Sequence, residues 1–200
     1  LRRVREFNAA HGTHAVCDVL EVKADSESKI ENTVAGVPAG ITAYFEIVSD
    51  ARLPELVAAL SLRGQFAKIR TGGITPEAFP SAREIVRFVR TCTAANVAFK
   101  ATAGLHHPLK CLKPLTYEPD AVQGKMHGFL NVLMMTAFAR ESFRPSLLEE
   151  LMDEESGDAE EQRRRSEARI AAENFGAVVG FAAGAAMAVK ENLDEHAARE

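Results

Sequence analysis

Four short runs rich in β-branched and aromatic residues recur along the first half of the chain, at residues 15–23, 41–48, 66–71 and 96–103, with helically spaced stretches between them. Strands separated by helices of this length pair in parallel, because a parallel neighbour needs a long crossover. The connecting stretches carry helix punctuation. Ser26 is placed to cap a turn through Ile30 and Val34, and Leu53-Pro54 opens a helix with Leu56, Val57, Leu60 and Leu62. Thr75-Pro76-Glu77 reads as a helix start, although Pro80 predicts that the long helix restarts at Ser81 and runs through Ile85, Val86, Phe88 and Val89. The strand spacing, about 24 to 30 residues, matches a β/α barrel. Eight such units need roughly 250 residues, and only four strands are evident here. Residues 126–140 fit a buried helix better, on length, than a fifth strand near residues 128–133. The expected fold is therefore α/β: TIM-barrel-like repeated βα units, short of a full set, over residues 1–148, followed by a C-terminal helical tail over 149–200.

Charge marks that boundary. Residues 1–148 carry a net +4 and residues 149–200 a net −8. The overall −4 gives no general attraction to nucleic acid, which is not expected as a partner. In the tail, the dense charge run with Arg163, Arg164 and Arg165 reads as a solvated helix or linker. The apolar run 175–189 carries Gly176, Gly180 and Gly184 at the four-residue spacing that lets helices approach closely, so self-association through it is expected. Its fifteen residues fall short of the roughly 20 that cross a bilayer. Three cysteines without C-x-x-C spacing, and a charged start with no apolar run behind it, predict a cytoplasmic chain without a disulfide scaffold or signal peptide.

The feature with most chemical content is where the strands carry charge. Period-two alternation puts Glu21 with Lys23, Tyr44 with Glu46, Lys68 with Arg70, and Lys100 with Thr102 on one face of their strands. A buried parallel strand should be almost wholly apolar, and each unpaired buried charge costs several kcal/mol. Convergence on one polar pocket resolves this, with Glu21 and Glu46 balancing Lys23, Lys68, Lys100 and Arg70. The plainer resolution is a set of structural ion pairs.

Active sites of such barrels lie at the C-terminal ends of the strands, and three signals collect there. Arg70-Thr71-Gly72-Gly73 before the Thr75-Pro76 start offers free amides and a helix dipole for an anionic group. Lys100 lies in an apolar strand, where desolvation and a nearby Lys68 or Arg70 would lower its pKa and make it a nucleophile. Gly104-Leu105-His106-His107 then places two imidazoles just beyond it, for hydrogen bonding or proton transfer. His106, His107 and His127 with Glu46 also suggest a divalent metal, although no H-E-x-x-H spacing accompanies them. With no P-loop, dinucleotide fingerprint or G-x-S-x-G elbow, no cofactor is expected.

The string Lys100-Ala101-Thr102-Ala103-Gly104 resembles the K-T-S-T-G strand of deoxyribose-phosphate aldolase, a class I aldolase. In that family the strand lysine forms a Schiff base and a lysine on the preceding strand perturbs it, which by resemblance assigns these roles to Lys100 and Lys68. Ala101 and Ala103 depart from the family string, as does the His106-His107-Pro108 continuation. The wider run from Ala67 to Leu109 is similar to an uncharacterised group of bacterial barrel-like proteins, which implies the fold and no activity.

These readings combine into an expectation: a Schiff-base lyase acting on a small anionic carbonyl compound. Lys100 is its nucleophile, Lys68 the neighbour, and Glu46 or His106 the proton shuttle. Arg70, Thr71, Gly72, Gly73, Thr102, Gly104 and His107 bind the anion. Two alternatives stand beside it: a metal-dependent lyase or hydrolase using His106, His107 and Glu46, and a non-catalytic binding or assembly subunit.

Overall fold

A computed structural model describes residues 2–155. Helix α1 (Arg2–His11) comes first, followed by β1 (Val19–Lys23), α2 (Glu27–Gly36), β2 (Thr42–Glu46), α3 (Leu53–Leu62) and β3 (Phe66–Arg70). A 3-10 turn (Pro76–Ala78) precedes α4 (Ala82–Ala94) and β4 (Phe99–Thr102). A hairpin of β5 (Cys111–Pro114) and β6 (Gln123–Met126) then leads into α5 (Phe129–Arg140) and α6 (Pro145–Asp153).

All four runs anticipated as strands form strands, and they pair in parallel in the order β1-β2-β3-β4. Chain order equals spatial order, and α2, α3 and α4 contact one another in sequence, so the helices form one layer on one face of the sheet. The described residues thus form a mixed α/β fold without the reversal of strand order that creates a doubly wound crevice. They do not close a barrel, since β1 and β4 lie at opposite edges of the sheet.

The helix starts follow their caps. Ser26 accepts from the Lys29 amide at the start of α2, and Pro54 lies in the first turn of α3. Ser81 and Glu84 complete a capping box at α4, so the long helix begins just past Pro80. Ala43, Phe45, Ala67 and Ile69 of the sheet face this layer, where Leu56, Val57, Leu60, Ile85, Phe88 and Val89 are fully buried. Phe88 meets Phe99 of β4 edge to face at 5.5 Å between ring centroids.

Residues 128–133 are not a strand: α5 begins at Phe129 and packs on α4 and α6. The compositional boundary at 148/149 falls inside α6, whose Leu148 and Met152 are fully buried in the common core. The basic island and the glycine-spaced segment 175–189 lie outside the described residues. Among the described residues, no helix is long and apolar enough to cross a membrane. All three cysteines are free, and burial pushes the Cys92 thiol up to about 12.

Candidate functional site

The face of the sheet opposite the helices is polar, and register aligns its charges. Lys23, Glu46, Lys68 and Lys100 are successive partners across β1 to β4, with Glu21 beside Tyr44 one row below. Three strand spacings of about 4.8 Å separate β1 from β4, roughly 14 Å in a flat sheet. Yet Glu21 Oε1 lies 2.6 Å from Lys100 Nζ, and the Lys100 ammonium sits 4.2 Å from the centroid of the Tyr44 ring, two strands away. Side chains standing upright on a flat sheet would not meet over such distances. The sheet curls, and its polar face is concave.

Lys68 is at the centre of that concavity, its side chain only 5% exposed. Its ammonium donates to Glu46 Oε2 at 2.7 Å and to Glu21 Oε2, so Glu21 bridges Lys68 and Lys100. Glu46, 16% exposed, also lies 3.9 Å from the ammonium of the solvent-exposed Lys23. Desolvation is the largest single influence on Lys68 and favours its neutral form, but the two carboxylates outweigh it and raise its pKa above the ordinary 10.5. The hydrogen bond from Lys100, and then that from Lys68, hold the Glu21 carboxyl at about 2 against an ordinary 4.5.

A pH dependence follows from Glu21. A depressed pKa contributes stability that is present in full above pH 4.5 and is lost as the pH falls towards 2. Glu21→Gln is therefore expected to be less stable than the parent at pH 6, with the difference shrinking below pH 4.5 and mostly lost by pH 2, in thermal melts across that range. A gap that stays constant down to pH 2 would show that Glu21 is not held by these lysines.

Of the residues singled out from the sequence, Glu46, Lys68 and Lys100 converge. Thr102 shares their face as the register partner of Arg70. Arg70 itself does not join them: it is exposed, and its Nε donates to the carbonyl of Gly72 at 3.1 Å. Lys68 and Lys100 do not confront one another as bare cations either, because the Glu21 carboxylate lies between them.

The loop residues have a packing role. Thr71 is fully buried, its amide donating to Thr102 O at 2.8 Å and its hydroxyl to Ala103 O at 2.6 Å, which locks the ends of β3 and β4 together. A Cβ on Gly72 would lie 2.6 Å from the Phe79 ring and 2.8 Å from Gly104 Cα, so Gly72 and Gly104 are small because two loops cross beneath that ring. Ala103, at φ 69°, is strained at the end of β4, whereas Gly104 takes φ +73° freely because it lacks a Cβ. A Cβ on Gly73 would lie 2.7 Å from that of Ala78. The dipole expected behind these glycines is not that of a long helix, because a single 3-10 turn follows them.

His106 is exposed, and no hydrogen bond or ion pair joins it or His107 to the lysine cluster among the described residues. His107 contributes its carbonyl, which accepts from the Phe129 amide at 2.9 Å. His127 is buried with Nε2 2.7 Å from Pro80 O, and desolvation pushes its pKa down. Among the described residues, no group of three or more His, Cys, Asp or Glu is placed to hold a metal ion, so His106, His107 and Glu46 do not form a metal centre.

Two contributors that alternation already put on the face do more than the sequence assigned them: Glu21, expected only as a balancing charge, bridges the two lysines, and Tyr44, given no role, has its ring under Lys100. Comparisons with family models, with curated proteins and with solved structures find no match to this chain.

Proposed function

We propose that the curled sheet is part of a β/α barrel wall and that its concave face is the site of a Schiff-base lyase acting on a small anionic carbonyl compound. The observation that carries this reading is the shared carboxylate. Lys100 is 29% exposed, open to an incoming ligand, and its one carboxylate partner among the described residues, Glu21, is also held by Lys68. Among the described residues, three ammonium groups (Lys23, Lys68, Lys100) face two carboxylates (Glu21, Glu46), a cationic excess that would favour an anion. The register pairing of Lys68 with Lys100 supports the aldolase resemblance.

In this reading the Lys100 ammonium releases its proton to solvent at its exposed side, because Glu21, held at about 2, is too weak a base to take it. The freed amine attacks the carbonyl carbon, and loss of water from the resulting carbinolamine gives an iminium that takes up the electron pair of an adjacent breaking bond. Lys68 acts as a positioning residue that keeps Glu21 over Lys100.

The non-catalytic alternative draws support from the enclosure of Lys68 by two carboxylates, a geometry that needs no substrate. Borohydride trapping separates the two. With pyruvate or glyoxylate as probe, reduction is expected to add the probe's mass to the Lys100 peptide and to no peptide in Lys100→Arg. An unmodified Lys100 peptide under all probes would overturn the lyase reading and leave a binding module.

A further inference from the structure

We propose that a second copy of this chain completes the wall, its β1 pairing with β4 of the first copy and its β4 with β1. The backbone shows which groups await a partner. In a parallel strand, alternate residues direct both N–H and C=O to the same neighbour. Asp18 O accepts from Thr42 N, and Ala24 N donates to Glu46 O, so the even-numbered residues of β1 serve β2 and those of Val19, Glu21 and Lys23 point away. Ala98 O accepts from Ala67 N and Thr102 O from Thr71 N, so the backbone groups of Phe99 and Ala101 point away from β3. Among the described residues neither edge pairs with a further strand. Open parallel edges of this kind invite pairing with another chain.

The occupant must bring parallel strands of matching curvature with helices on the outside, and this chain supplies them. Four strands are half of an eight-stranded barrel, and a two-fold axis along the barrel axis reverses no strand, so both new seams are parallel. Both seams offer apolar surface, while the charges of Glu21 and Lys100 are already paired with each other inside one copy. Beside β4 runs an apolar groove lined by Val97, Ala101, Leu105, Phe129 and Leu133, the last two exposed, as is Val19 on the opposite edge. Glu21 is 42% exposed, so the described residues of one copy do not enclose the cluster. The inference rests on the barrel reading of the sheet and not on Schiff-base chemistry, so trapping at Lys100 can succeed or fail independently of it.

Light scattering on the full chain is expected to give twice its 21.7 kDa mass. Hydrogen exchange at the amides of Val19, Glu21, Lys23, Phe99 and Ala101 is expected to be slowed at least about tenfold relative to open edges. Val19→Pro removes an N–H that points away from β2, at the first residue of an edge strand where proline is tolerated. It should keep the circular dichroism of the parent, halve the mass and release the protection. Ala101→Pro, likewise directed outwards, is the second probe should the first fail to fold. A monomeric parent would overturn the proposal, whether its edges are open or protected by another part of the chain. So would a dimer whose mass both proline variants leave unchanged.

Discussion

Lys68→Met is expected to lower the free energy of unfolding by about 3–5 kcal/mol at pH 7, the cost of leaving one member of a buried pair alone. Methionine has nearly the length of lysine and fills the same space, so little of the loss comes from a cavity. The loss arises at Glu46, which keeps only the 3.9 Å contact with the exposed Lys23 once its 2.7 Å partner is gone. Glu21 suffers less, because it retains Lys100 at 2.6 Å. The double variant Glu46→Leu/Lys68→Met removes both orphaned groups and should recover at least half of the loss, since buried ion pairs are often replaceable by apolar residues of similar volume. Urea titrations of the parent, both single variants and the double variant measure the coupling. A cost for Lys68→Met below about 1 kcal/mol would place the cluster with solvent-screened surface pairs and remove the energetic reason for treating it as a built site.

That cluster was legible in the sequence because a strand repeats every two residues. Period two alone decides which of Glu21, Lys23, Tyr44, Glu46, Lys68, Lys100 and Thr102 share a face, and parallel pairing brings those faces together. Two quantities lay beyond the pattern. Register decides which charges become neighbours, and it emerges only from packing of the apolar face against the helices. Curvature decides how far across the sheet a side chain reaches, and it turned Glu21 from a distant balancing charge into the bridge between two lysines. Arg70 escaped the pattern for a local reason: at the end of β3 its guanidinium finds the Gly72 carbonyl two residues on. The glycines pointed both to anion binding and to close packing, and only the position of the Phe79 ring separates the two.

The parts that were not anticipated have weak one-dimensional signals. Helix α1 buries none of its residues, so no apolar stripe announces it; Asn8 ties it to the chain by bonding both backbone groups of Cys17, at 2.8 and 2.9 Å. The strands β5 and β6 are four residues each and rich in Lys, Gly and Pro, which favours a loop reading over a hairpin. Helix α6 is different: Leu147 to Met152 reads as an acidic amphipathic helix from the sequence, and only the compositional boundary cuts through it, because burial of Leu148 and Met152 is decided by one face of the helix while charge counts average over all of them.

Asn131 is the residue whose importance a hydrophobic pattern hides most completely, and Asn131→Leu is the second substitution expected to have a large effect. It lies in the run Phe-Leu-Asn-Val-Leu-Met-Met and is 3% exposed, yet it works as a three-way clasp. Its Oδ1 accepts from the Lys110 amide at 2.9 Å, and its Nδ2 donates to Leu151 O at 2.8 Å and Glu154 O at 2.9 Å. One side chain thus joins the entry to the hairpin, the start of α5 and the end of α6. The contact is close enough that a Cβ on Gly128 would lie 2.2 Å from Oδ1, which accounts for the glycine before α5. Leucine matches asparagine in branching and makes none of these bonds. Each group left without a partner in a buried setting costs about 1–3 kcal/mol, so a total of about 3 kcal/mol or more is expected by urea denaturation. The loss should be spatially ordered: exchange of the α6 amides is expected to accelerate before that of β2 and β3, because α6 loses two carbonyl anchors while the sheet loses none. If α6 and the central strands lose protection equally, the clasp is not what docks α6, and the buried Leu148 and Met152 hold it in place by themselves.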